Sequence, residues 1–99
     1  MFEIKLGASG EIIMAGRFDA SQAERAQAFI DGVASPRVVD LRDLDYISSA
    51  GLAVLLRTQK AIMPSGAGLR LVNVSPHIHD IFKYSGFDQI FAVEALRRS

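Results

Sequence analysis

Apolar and polar side chains alternate strictly in Phe2-Glu3-Ile4-Lys5-Leu6, the pattern of a half-buried strand. Gly7-Ala8-Ser9-Gly10 reads as a turn and Glu11 to Ala15 as a returning strand, so the two predict an antiparallel hairpin. After Gly16, Asp19-Ala20-Ser21-Gln22 has the residue types of a capping box and predicts the start of a first helix. Ala23, Ala26, Ile30 and Val33, with Phe29 beside them, supply its buried face, and Ser35-Pro36 ends it.

The next stretch changes character within a few residues. Val38, Val39 and Leu41 form a short apolar run that predicts a third strand, Arg37 to Leu41. Arg42-Asp43-Leu44-Asp45 then leads to Ser48-Ser49. Beyond the serines, Leu52, Leu55, Leu56, Ile62 and Met63 fall on one face of a second helix, Ser49 to Met63, which Pro64-Ser65-Gly66-Ala67-Gly68 stops. Leu69 to Val72 is a fourth strand. Ser75 as N-cap and Pro76 at the first helical position open a third helix. Ile78, Ile81 and Phe82 face inward there, Gly86 is its left-handed cap, and Ile90 to Val93 adds a short edge strand. The order β-β-α-β-α-β-α-β predicts one α/β domain over residues 1–99. Its sheet is mixed: the opening hairpin is antiparallel, and crossovers join the later strands.

Composition narrows the function. Eleven basic and eleven acidic residues cancel, so no charge excess points to nucleic acid or to an anionic membrane, and Arg97-Arg98 reads as a solvated tail. With no cysteine there are no disulfides, thiolate nucleophiles or Cys-based zinc sites. No apolar run approaches the roughly 18 residues of a membrane span. Met1 to Lys5 enters a strand pattern without the apolar core of a signal peptide, which predicts a cytoplasmic protein.

Asp45-Tyr46-Ile47-Ser48-Ser49-Ala50-Gly51-Leu52, following Val38-Val39-Asp40-Leu41, resembles the signature of the STAS domain of sulfate transporters and anti-sigma factor antagonists. Gly16-Arg17-Phe18-Asp19 is similar to the family's Gly-x-hydrophobic-Asp at the end of its second strand. Leu69 to Pro76, then Ile81-Phe82 and Ser85-Gly86-Phe87, resemble its late strand and helix. The resemblance implies a non-catalytic bacterial regulator that binds a serine-kinase anti-sigma factor and frees the sigma factor. The serine two residues before the Gly-Leu pair, here Ser49, is then the phosphoacceptor. The kinase brings ATP and magnesium, a phosphatase reverses the modification, and this chain needs no cofactor of its own. Ser48 stands where the antagonist branch most often has Asp. That departure leaves a second reading open, a STAS subunit on a transporter ATPase or permease without a phosphorylation cycle.

Spacing alone makes Ser48-Ser49 a helix cap; the resemblance adds a reactive hydroxyl at Ser49, where the helix dipole favours a phosphate. Ala50, Val54, Arg57 and Ala61 are placed opposite Leu52 and Leu56, so Val54 is expected on a solvent face that docks the partner. Asp19 reads as an N-cap by itself, and the resemblance brings it near the serine as a partner contact together with Ser48. A serine hydrolase fails on its residues: Ile47-Ser48-Ser49-Ala50-Gly51 has Ile where a nucleophile elbow needs its first Gly. His77 and His79, two apart on a helix, diverge and lack the i, i+4 spacing of a metal pair.

Overall fold

A computed structural model describes residues 1–96; Arg97-Arg98 lies outside them. The hairpin forms as its alternation predicts. Strand β1 (Phe2–Leu6) pairs antiparallel with β2 (Ile12–Phe18), Ile4 opposite Met14. Helix α1 (Ala23–Asp31), strand β3 (Val38–Ile47), helix α2 (Ser49–Ile62), strand β4 (Arg70–Val74), helix α3 (Pro76–Ser85) and strand β5 (Ala92–Ala95) follow in that order. The five strands lie in the order β1-β2-β3-β4-β5, and every pair after the first is parallel.

Burial shows why the sheet has one covered face. Phe2, Ile4, Ile12, Met14, Phe18, Val39, Leu41 and Leu71 are buried in a single cluster with Ala26 and Ile30 of α1, Leu52 and Leu55 of α2, and Ile78 and Phe82 of α3. The alternate positions Glu3, Lys5, Arg17, Arg42 and Arg70 are exposed. The helices therefore pack on one side, and the other faces water with these charged residues and the half-buried Ile13, Val38 and Val72 among them.

Strand β3 runs well past the Leu41 end that its sequence predicts. Its buried positions after Leu41 are Leu44 and Ile47, three residues apart rather than two. The register explains the spacing: Ile13 pairs with Asp40 but Ala15 with Asp43, and Gly16 pairs with Leu44 but Arg17 with Tyr46. Each interval inserts one extra residue into β3, a bulge that returns the next apolar side chain to the core. A strand with two bulges loses the period of 2 by which strands are read. Asp40 braces the first bulge, accepting from the backbone N–H of Arg42 and from Asn73 Nδ2, both at 3.0 Å.

Other boundaries shift for local reasons. Asp19 caps a 3-10 turn, Ala20–Gln22, and α1 proper starts at Ala23. That helix stops at Gly32, before Ser35-Pro36. Met63 leaves α2 for a 3-10 turn, Met63–Ser65, where it is 56% exposed rather than on the buried face. Ser75 Oγ accepts from the N–H of Ile78, Pro76 occupies the first turn of α3, and Gly86 ends it at φ 77°. A 3-10 turn at Phe87–Gln89 carries Phe91 into the core, where its ring lies 5.4 Å from that of Phe87. The last strand consequently begins at Ala92, two residues later than its pattern predicts.

Gln59 is a buried polar residue that the helical pattern does not single out. Its Oε1 accepts from the N–H of Leu69 at 2.7 Å and its Nε2 donates to the carbonyl of Ile90 at 3.1 Å. It ties α2 to the entries of β4 and β5, satisfying backbone groups that have no sheet partner there.

Candidate functional site

The parallel strands β2 and β3 end side by side, with Phe18 opposite Ile47. The chain then turns into α2 across the end of β2. The N–H of Ser48 donates to the Phe18 carbonyl at 2.9 Å, and Ser48, in extended conformation, is the N-cap of α2. Its Oγ accepts from the N–H of Gly51 at 3.3 Å, satisfying one of the free donors of the first turn.

Gly51 is required by this approach. A Cβ there would stand 2.8 Å from Ile47 Cγ1 and 2.9 Å from the Phe18 carbonyl oxygen. Any side chain there would force the helix, Ile47 or the end of β2 to shift.

Ser49 is the first residue of α2 and is exposed, and among the described residues its hydroxyl has no hydrogen-bond partner. Asp19 follows Phe18 directly, so the same strand end presents it near the serine turn. Its Oδ1 accepts from the Ser21 hydroxyl at 2.6 Å and from the Ser21 N–H at 3.1 Å. The Ser21 hydroxyl bond is the main cause that holds the Asp19 carboxyl below its ordinary pKa; partial desolvation opposes it, and the Ser21 N–H and Arg17 add to the lowering. Arg17 lies over the ring of Tyr46, its cross-strand neighbour, at 4.4 Å. This pair braces the last two residues of each strand before the site, and nothing in the spacing of the chain announces it.

Val54 is not on the solvent face. It is 3% exposed, buried where α2 meets α1. The expectation failed because it centred the apolar face on Leu52 and Leu56. Gly51, Leu52, Val54, Leu55, Thr58 and Gln59 are all buried, an arc of roughly 160° at about 100° per residue, with Val54 at its α1 edge. Leu56 is only half-buried, at the other edge. The exposed stripe consists instead of Ser49, Ala53, Arg57, Lys60 and Ala61, with Ala50 half-buried beside it. Ala53, the neighbour of Val54, is exposed. Arg57 reaches across to α1, donating to Gln27 Oε1 at 3.2 Å.

His77 is exposed and His79 half-buried on α3. Among the described residues no three His, Asp or Glu side chains converge as metal ligands, and no helix is long and apolar enough to cross a membrane.

The family profile described as Mlab, STAS domain matches residues 3–96. The chain belongs to the STAS domain family. It is 44% identical over 62 residues to BtrV of Bordetella bronchiseptica, provisionally named an anti-sigma factor antagonist; that match covers 63% of this chain and 53% of BtrV, about half its length. It is 35% identical over 81 residues to a STAS-domain containing protein of Pseudomonas aeruginosa, covering 79% of this chain and 80% of the relative.

Solved structures share the STAS fold at low identity. A provisionally named anti-sigma factor antagonist of Thermotoga maritima superposes with a TM-score of 0.76 at 19% identity, covering 95% of this chain and 86% of its own. The phosphorylated form of the Bacillus cell fate determinant SpoIIAA gives 0.66 at 18%, covering 94% and 90%. A sulfate transporter family protein of Wolinella succinogenes gives 0.69 at 23%, covering 83% and 72%.

Proposed function

We propose that this STAS domain is a cytoplasmic anti-sigma factor antagonist that binds a serine-kinase anti-sigma factor and is switched off by phosphorylation of Ser49. The observation that carries this is the division of labour at the start of α2. Ser48 is engaged in capping, whereas Ser49 presents at a helix N-terminus an exposed hydroxyl that has no hydrogen-bond partner among the described residues. The 44% identity to BtrV supports the antagonist branch.

The chemistry asks little of this chain. Ser49 Oγ forms a bond to the γ-phosphorus of the kinase's ATP as the bond to the bridging oxygen breaks. The hydroxyl proton passes to a base on the kinase, and ADP leaves with magnesium. The product carries ≈ −1.5 to −2 charges. Beside the unpaired N–H groups of α2 that charge gains about 0.3–1 kcal/mol in the free protein. The complex bears the cost, because the kinase must accommodate a bulky dianion on a surface that already holds Asp19. A phosphatase restores the hydroxyl. Asp19, Ser48, Ala50 and Arg57 contact the partner in this account, together with Ala53, which is exposed where Val54 is buried.

A second reading has its own support. Ser48 stands where antagonists commonly have Asp, and the fold is shared with a sulfate transporter family protein. In that case the domain packs on a transporter ATPase or permease. Titrating unmodified and Ser49-phosphorylated protein against the purified kinase separates the two. The antagonist account expects affinity to fall at least tenfold on phosphorylation; equal affinities, or binding only to a transporter subunit, favour the second.

A further inference from the structure

An open groove runs between α1 and α2. Its first half is lined by Ala23, Ala50, Ala53 and Val54 in a depression of about 430 Å³. Its second half is lined by Ile30, Val33, Ala61 and Ile62 in one of about 350 Å³. Gln27, Asp31 and Arg57 border both. Arg57 donates to Gln27, and Gln27 Nε2 donates to Asp31 Oδ1 at 3.0 Å, so a polar strap crosses the groove midway.

The two lips differ in charge. The α1 lip carries Glu24 and Asp31, both exposed, and the α2 lip carries Arg57. The ion pair found among the described residues is Arg70–Glu94, on the sheet, so none of the three groove charges has, among those residues, an opposite partner within ion-pair distance. An occupant of this groove must therefore be apolar toward its two ends, polar where it crosses the Arg57–Gln27 bond, cationic on the flank toward α1 and anionic on the flank toward Arg57.

A helix fits this description. Two packed helices offer no free strand edge, so an extended peptide would leave its backbone groups unpaired. A third helix can seat its ridge between them, and the alanines at 50, 53 and 61 lower the α2 side for close approach. From Ala50 to Ile62 the groove is about 18 Å long, matching a helix of some three turns. A second copy of this chain does not supply that ridge. Its α3 exposes His77, Asp80, Lys83 and Tyr84, without an apolar stripe, and its α1 and α2 are themselves the walls.

We infer that the α1–α2 groove receives an amphipathic helix of the anti-sigma factor, with Lys or Arg facing Glu24 and Asp31 and Asp or Glu facing Arg57. The inference rests on the antagonist reading of Ser49, since the mouth of the groove at Ala50 adjoins that residue. It gives Ala50, Ala53 and Arg57, already placed on the partner surface, a defined occupant, and phosphorylation of Ser49 does not touch that contact.

The test uses the full chain and the purified serine-kinase anti-sigma factor encoded in the same genome. Ala53→Arg obstructs the groove and Arg57→Glu reverses its α2 lip, and both positions are exposed. Ala53→Arg should keep the wild-type melting temperature and Arg57→Glu should lower it only slightly, with its bond to Gln27; each should lose at least tenfold in affinity and be phosphorylated with a raised KM and little change in kcat. An Asp→Lys or Glu→Lys change in the kinase's docking helix should restore binding to Arg57→Glu. Wild-type affinity and KM in both variants overturn the groove proposal and leave the Ser49 switch standing. Lost affinity in both, with no phosphate on wild-type Ser49, leaves the groove standing and overturns the switch. A kinase that does not bind the wild type overturns both.

Discussion

The amide of Ser48 donates to the carbonyl of Phe18 at 2.9 Å, joining the start of α2 to the end of β2. This bond sets where the helix begins, and so which serine caps it and which one faces outward. Gly51 makes it possible.

Replacing Gly51 with Ala should disrupt this junction. The new methyl meets a backbone carbonyl and a core isoleucine at under 3 Å, neither of which can yield cheaply. Overpacking of this kind costs about 1–3 kcal/mol, more than the helix propensity of Ala returns. Urea unfolding should show a lower midpoint; an unchanged or raised midpoint would mean that the helix can lift without penalty.

Val54→Asp and Ala53→Asp should separate folding from docking. A carboxylate at the buried Val54 has no partner and should cost several kcal/mol or unfold the chain. At exposed Ala53 the same change should leave thermal unfolding nearly intact while weakening partner binding. Equal melting temperatures for the two variants would contradict the burial of Val54.

Asp19 contributes to acid stability with a defined sign. Its carboxyl is held below the ordinary aspartate value of 3.8, so the folded state favours the ionised form. That contribution is fully present above the unfolded pKa and is lost as pH falls through the lowered folded value. NMR titration of the Asp19 carboxyl should give a midpoint below 3.8. Ser21→Ala should move it up, because the Ser21 hydroxyl is the main cause. A midpoint unmoved by Ser21→Ala would remove that cause.

The sequence shows most of this architecture where one signal governs one element. Alternation marks β1, Ser75-Pro76 opens α3, and the change of period after Ser49 starts α2. It hides what depends on two elements at once. The bulges of β3 follow from pairing with β2, so Leu44 and Ile47 look like loop residues on their own chain. Val54 is buried by α1, and a helical wheel of α2 contains no α1. Gln59 reads as a surface polar residue until Leu69 and Ile90 come to it. At the site, Ser48 as a cap is a local matter and could be read directly. The need for Gly51 appears only when the end of β2 is in place.

The most direct measurement is the position of the phosphate. Wild type, Ser49→Ala and Ser48→Ala would be incubated with the cognate kinase and ATP, and peptide mass mapping would locate the modification. Ser48→Ala should lose about 1 kcal/mol of stability with its cap and still be phosphorylated on Ser49. Ser49→Ala should bind the kinase and carry no phosphate. Phosphate on Ser48, or none on a wild type that the kinase binds, would contradict the account.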